Sequence, residues 1–332
     1  MTDNLRWTSL RVDDIEPWAA LTHHLAVVDR TDEFYSPEDL REELESHDVE
    51  PERDTFAVWD GDSLVGFGQL WISETRDAEG LVRCNLDGGV HADHRGRGIG
   101  RHLMERLEAR ATEAVSERHP GASHYLRASG GRDGSSAQRM LEHRGYEIAR
   151  YFNALTRPLT PSDADASAEL PPGVTLRSPH DGDEAAAHAA HCAAFVDHWG
   201  SLPPSAQSWH EMWTGNSARM DVSTIAVDAD GAVLAYALCG QWVDNELYVN
   251  IVGTVPDSRG RGLGSAVLAR TIAVAAQSGA YGLIELDVDS ESLTGAVRLY
   301  ERLGFALKHT TSAMRRTEPS SRQHGEAPPV SR

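Results

Sequence analysis

The octapeptides HRGRGIGR, beginning at His94, and SRGRGLGS, beginning at Ser258, are nearly identical and stand 164 residues apart. Each follows an apolar run and precedes a segment of helical periodicity, and this repeat limits the fold more than any other feature. ELYVNIVGTV before the second loop has the β-branched content of a strand. After it, SAVLARTIAVAAQSG places apolar residues at helical spacing and closes on Gly279, suited to a helix C-terminus. LVRCNLDGGV and RHLMERLEARATEAVSE flank the first loop in the same way. A chain carrying one strand, loop and helix twice is read most economically as a tandem repeat of one αβ unit.

The flanking elements repeat as well. TFAVWDGDSLVGFGQLWI and STIAVDADGAVLAYALCGQW both read as hairpins around an Asp- and Gly-containing turn. Behind the loops, SHYLRAS and YGLIELDVD predict strands, while AQRMLEHRG and TGAVRLYERLG predict short helices. In the second half VTLRS predicts an opening strand, DEAAAHAAHCAAFVDHW a helix, SAQSWHEMW a second helix, and FALKHTTSAMRR a closing pair of strands or one bent strand. Pro, Ser, Ala and Asp without hydrophobic period mark Arg157 to Gly173 as a linker. The expected division is therefore 1–157, a linker at 158–172, 173–316, and a tail at 317–332 too polar to pack.

At 332 residues the chain is long enough for two ordinary cores. A net charge of −20 argues against nucleic acid or an anionic membrane as partner, since both would be repelled, and favours a cationic small substrate. Lys308 is the only lysine. Cys84, Cys192 and Cys239 lack disulfide or zinc-ligand spacing, so no metal is expected. No signal pattern or bilayer-length apolar run is present, and a cytoplasmic protein, monomer or homodimer, is expected.

The loop itself places unobstructed N–H groups at a helix N-terminus, where unpaired donors and the helix dipole favour a pyrophosphate. It is not a Walker loop, because no Gly-Lys-Ser/Thr follows. Nor is it the dinucleotide fingerprint, whose third glycine would fall at Ser265. Each loop is followed about 40 residues later by a short helix ending in Gly plus an aromatic, Gly145-Tyr146 and Gly304-Phe305. The combination resembles the GNAT superfamily of N-acetyltransferases, whose Arg/Gln-x-x-Gly-x-Gly/Ala motif matches Arg95, Gly98 and Gly100, then Arg259, Gly262 and Gly264. In tandem form it is similar to mycothiol synthase and other actinobacterial two-domain acetyltransferases.

That resemblance implies an α/β (α+β) fold of two GNAT domains. Each would have a mixed, mostly antiparallel sheet, splayed at its fourth and fifth strands and flanked by helices. Acetyl-CoA is the implied cofactor. Its pyrophosphate would lie on Arg259, Gly260, Arg261, Gly262, Leu263, Gly264 and Ser265, and its pantetheine along Val252, Thr254 and Val255, with Ser292 where the family often has Asn. Val90, Arg95, Gly96, Arg97, Gly98, Ile99 and Gly100 would do the same in the first half. The main-chain N–H near Val252 would stabilise the oxyanion.

The family's proton donor, a tyrosine within A-x-x-L-Y-E-x-x-G-F, falls on Tyr300 in AVRLYERLGF. The first half has Leu141 there, and a leucine donates no proton. Transfer is therefore expected in the second domain, beside a degenerate first one. The family's usual Glu is replaced by Tyr248, which counts against a mycothiol-synthase role. Glu246, two residues earlier on the same strand face, is the expected base, directly or through water, with Asp287 and Glu285 as rivals. Asp197, His198, Trp199, Tyr248 and Asn250 are expected to bind the amine. The expected function is acetyl transfer to a primary amine of a small molecule by direct attack. A protein or peptide acceptor and a non-catalytic acyl-CoA sensor are the alternatives.

Overall fold

The computed structural model describes residues 5–165, 169–196, 200, 202–291 and 295–318. Residue contacts divide the chain into two compact units, one of residues up to Ala149 with those from Ser312 onward, the other Arg150–Thr311.

The first unit contains β1 (Leu5–Thr8), α1 (Ile15–Asp29), α2 (Pro37–Leu44), α3 (Pro51–Asp54), β2 (Thr55–Asp60), β3 (Ser63–Arg76), β4 (Val82–Val90), α4 (Ile99–Arg118), β5 (His124–Arg132) and α5 (Ser136–His143). Strands β1 to β4 run antiparallel in sequence order, and β4 pairs with β5 in parallel. Alternation along the strands splits the side chains between two cores. On one face Phe67 and Ala57 pack with Trp18 and Leu21 of α1 and Leu40 and Leu44 of α2. On the other, Leu70, Cys84 and Leu86 pack with Leu107 and Ala111 of α4 and Leu141 of α5. Helix α2 begins with a capping box, Ser36 with Asp39, and Pro37 in its first turn. Asp54 and Arg110, both buried, pair at 2.7 Å, and Arg118 adds a second contact to Asp54 at 3.0 Å.

The second unit opens with part of β6 (Glu147–Pro158), then β7 (Thr175–Arg177), α6 (Glu184–Ala194), α7 (Ala206–Thr214), β8 (Thr224–Val227), β9 (Val233–Gly240), β10 (Glu246–Thr254), α8 (Leu263–Ser278), β11 (Leu283–Asp289), α9 (Ala296–Arg302) and β12 (Ala306–Glu318). Antiparallel pairing joins β7 to β8, β8 to β9 and β9 to β10, and β10 pairs with β11 in parallel. Leu247, Val249, Ile284 and Leu286 face α8 and α9. Ile225, Tyr236 and Leu238 face α6 and α7, where Trp209 and Trp213 are core residues.

The final segment is a single strand, β12, and not a pair. Two features differ from the sequence reading. The two closing strands are exchanged between units: Phe152–Asp289 through Pro158–Leu283 pair antiparallel within the second unit, whereas Ser312 and Met314 lie against Gly130 of β5 in the first. The stretch after Arg157 is also anchored, because Pro161–Asp165 forms a 3-10 turn, Arg157 ion-pairs with Asp163, and Gln277 donates to the Ala164 carbonyl at 2.6 Å. Charged and amide side chains hold this segment, so hydrophobic period could not reveal it.

Candidate active site

In both units the parallel strand pair stays together briefly and then opens. The β4–β5 ladder ends at Leu86 opposite Ala128, and the β10–β11 ladder at Tyr248 opposite Glu285. Just past that point β10 carries a bulge between Val249 and Ile251. The Val255 N–H donates to the Leu234 carbonyl of β9. By alternation the N–H groups of Val252 and Thr254 point the other way, into the opening. His91 donating to Val65 sets the same alternation for Gly88 and Val90.

The glycine loops close the openings in matching geometry. Gly96 and Gly98, and Gly260 and Gly262, have φ between +74° and +84°, which side-chain-bearing residues rarely adopt. Gly98 and Gly262 cap α4 and α8. A Cβ on Gly260 or Gly262 would meet nothing within 4 Å. The N–H groups of Gly260 to Ser265 find no acceptor among the described residues. Open space under unpaired donors at a helix N-terminus fits a pyrophosphate. Arg95 and Arg259 have a positioning geometry instead. Arg95 donates to the Val90 carbonyl and to Asp29 at the end of α1; Arg259 reaches the Thr254 carbonyl and the Ala194 carbonyl at the end of α6. Each guanidinium ties its loop to the preceding strand and to the unit's first long helix.

Tyr300 on α9 is buried against Phe305, with ring centroids 6.0 Å apart, and burial pushes its phenol up to about 12. Its hydroxyl has no hydrogen-bond partner among the described residues. Leu141 occupies the matching place on α5, and the match is geometric too. A Cβ on Gly264 would meet Leu299, the neighbour of Tyr300, as one on Gly100 would meet Met140, the neighbour of Leu141.

The carboxylates of the second unit separate by position. Glu285 is held by Lys308 at 2.9 Å. Glu246 lies at the closed end of the strand pair, opposite Leu283. Asp287 lies beyond the last paired residue and accepts a hydrogen bond from the Tyr248 hydroxyl. Crowding by the surrounding protein pushes its carboxyl up, against the opposing pull of Tyr248, His309 and Lys308. Tyr248 meets Trp242 edge-on at 5.8 Å. Asn250 is the bulged residue, and its buried Oδ1 has no partner among the described residues. Asp197, His198, Trp199 and Ser292 lie outside the described residues.

Sequence reasoning missed the pair His191 and Tyr236, joined Nδ1 to hydroxyl at 2.8 Å. Burial holds His191 down at about 4, so its imidazole is neutral at pH 7. The Tyr236 ring presses on Gly253, where an added Cβ would be 2.3 Å from the hydroxyl. A glycine inside an otherwise apolar strand was the available signal for such a close approach.

Among the described residues no helix is long and apolar enough to cross a membrane, and no cluster of three or more His, Cys, Asp or Glu could hold a metal.

A parallel strand pair that opens over a glycine-capped helix, present twice, defines an acyltransferase of tandem design. The model of the acetyltransferase (GNAT) family matches residues 16–146 and 186–305, and the chain belongs to that family. It is 32% identical over 271 residues to a mycothiol acetyltransferase from Streptomyces avermitilis, covering 78% of each chain. In fold it is similar to a GCN5-related N-acetyltransferase from Sphaerobacter thermophilus, with TM-score 0.70, 24% identity and coverage of 95% of this chain and 96% of that one. It is also similar to a tandem GNAT protein from the clavulanic acid biosynthesis pathway, with TM-score 0.66, 18% identity and coverage of 96% and 100%.

Proposed function

We propose that the chain transfers acetyl from acetyl-CoA to a primary amine of a small molecule, and that the second unit performs the transfer. The observation that carries this reading is the buried, protonated Tyr300 beside a complete glycine loop, where the first unit has Leu141. Relatives named for mycothiol support a small-molecule acceptor over a protein one.

In this reading the amides of Gly260 to Ser265 and the α8 N-terminus hold the pyrophosphate, and acetyl-CoA supplies the acyl group as a thioester. The Val252 and Thr254 N–H groups line the opening and stabilise negative charge at the carbonyl oxygen. Tyr300 Oη keeps its proton at all ordinary pH values and gives it to the departing thiolate. Asp287, with its pKa raised, is better placed at the opening than Glu246 to take the amine's proton, and Tyr248 orients it. Glu246, Asn250 and Tyr248 offer the polar groups that bind the acceptor.

Thiol release from acetyl-CoA, followed across amines, aminoglycosides, amino acids and peptides, tests the proposal. One small-amine class should support turnover, and Tyr300→Phe should lower kcat about 10²-fold with little change in acetyl-CoA affinity. With the phenol protonated to about pH 11, kcat should hold on the alkaline side through about pH 10. Full turnover in Tyr300→Phe would remove Tyr300 from the mechanism, and activity confined to peptides would overturn the acceptor assignment.

A further inference from the structure

We propose that His191 and Tyr236 form a positioning pair that fixes the backbone of β10 at Gly253 and so aims the Val252 and Thr254 N–H groups at the thioester carbonyl of acetyl-CoA. The inference rests on the second unit as the site of transfer, and it gives a role to two buried side chains that the mechanism above does not use.

Past the end of the β10–β11 ladder, β10 is paired along one edge alone among the described residues, with β9. The bulge at Asn250 loosens that edge, and Gly253 follows three residues later, where the backbone has most freedom. Tyr236 is what stiffens the strand there, standing directly opposite Gly253. The Val255 N–H donates to the Leu234 carbonyl, and the same kind of pair recurs two residues along an antiparallel ladder, so Gly253 and Tyr236 exchange main-chain hydrogen bonds. The Tyr236 ring then covers the glycine. A Cβ on Gly253 would stand 2.3 Å from its hydroxyl oxygen and 2.4 Å from Cζ, so only hydrogen fits beneath it.

His191 of α6 holds that hydroxyl through Nδ1 at 2.8 Å, and its own ring is packed against Trp209 with centroids 4.9 Å apart. The same end of α6 offers the Ala194 carbonyl to Arg259. One helix therefore grips the chain on both sides of Thr254, at Gly253 through the phenol and at Arg259 through the guanidinium. Burial keeps His191 neutral and Tyr236 protonated at pH 7, so titration does not break the tie there.

The first unit has the same glycine under a different cover. Gly89 stands six residues before Arg95, as Gly253 stands six before Arg259, and its partner across the ladder is Phe67. A Cβ on Gly89 would meet Cδ1 of Leu25 from α1 at 2.3 Å. Hydrocarbon is enough to fill this space. A phenol tied at its hydroxyl adds what filling does not require, a ring that cannot swing to another rotamer. The tied ring occurs in the unit that carries Tyr300, and the hydrocarbon in the one that carries Leu141. Donors aimed at a developing oxyanion stabilise the transition state more than the bound thioester, so misdirecting them lowers kcat and leaves KM in place.

Acetyl-CoA labelled with carbon-13 at the acetyl carbonyl, bound to the full chain, tests this without an acceptor amine. A hydrogen bond to the carbonyl oxygen moves that resonance downfield, and the signal of the second unit is assigned by its loss in Gly262→Val. Tyr236→Phe keeps the ring and frees it, and His191→Leu frees it from the other side. Each should lose about half of the shift or more while binding acetyl-CoA as tightly as the wild type, and with an amine each should lower kcat about tenfold at unchanged KM. His191→Asn returns a polar group to the place of Nδ1 and should restore most of the shift. Thermal melting shows that each variant is folded during the measurement. Wild-type shift and kcat in both Tyr236→Phe and His191→Leu, a raised KM with kcat retained, or no recovery in His191→Asn would overturn the inference and leave acetyl transfer standing. A second loop that binds no acetyl-CoA would overturn the acetyl-transfer reading itself, and this inference with it.

Discussion

The two units share their loops and differ at their openings. Both loops hold two glycines at positive φ and an arginine tied back to strand and helix, features that the backbone turn demands and that permit few other residues. The openings carry no such demand, and there the units part. The second presents Tyr300 with the Tyr248–Asp287 pair; the first presents Leu141 with Glu43, Asp87 and an unpartnered Gln69. A shared backbone device is therefore compatible with two differently lined openings.

The position shared by Leu141 and Tyr300 offers the sharpest way to break that comparison. Leu141 fills a core, so Leu141→Ala should destabilise the first unit by about 2–5 kcal/mol while kcat stays near wild type. Chemical denaturation alongside steady-state rates checks this, and a large loss of kcat without unfolding would mean that the first unit takes part in transfer. The loops come next. Gly262→Val should weaken acetyl-CoA binding about 10- to 100-fold, because valine strains the αL turn and fills the space over the unpaired amides. Gly98→Val imposes the same strain in the first unit and should leave turnover largely intact. Equal loss of turnover from both would show that the first loop also serves the reaction, as calorimetry with each variant would resolve.

Much of this was legible in the residues. Periodicity located the sheets and helices, and the repeated loop identified the family, because both arise from local rules of spacing and backbone conformation. The exchange of β6 and β12 was not legible, since a closing strand has the same pattern whichever sheet it joins. Tyr300 could be placed by its motif. The proposal of Asp287 over Glu246 as base rests on the ladder ending at Tyr248, which the residues alone do not give, because alternation assigns a face and not a distance along the opening. Gln69 and Glu43 gave no signal at all: a glutamine within a strand and a glutamate on a polar helix are ordinary until three-dimensional packing buries one and leaves the other without a cation.

The smallest expected effect bears on the acidic opening itself. An acid whose pKa is higher folded than unfolded binds its proton more tightly in the native state, so its contribution is full below the unfolded value and is lost as pH rises through the folded one. For Glu43 that window runs from the ordinary glutamate value of 4.5 to about 8. A tenfold change in proton affinity is worth about 1.4 kcal/mol, and because Glu43 is only partly buried, solvent screens the whole effect down to about 1–2 kcal/mol. Glu43→Gln removes the charge and keeps the shape, so its Tm should exceed that of the wild type at pH 9 by a few degrees and match it near pH 5. If the two proteins melt alike at every pH, the carboxyls are not crowded, and the contrast between the two openings loses its electrostatic half.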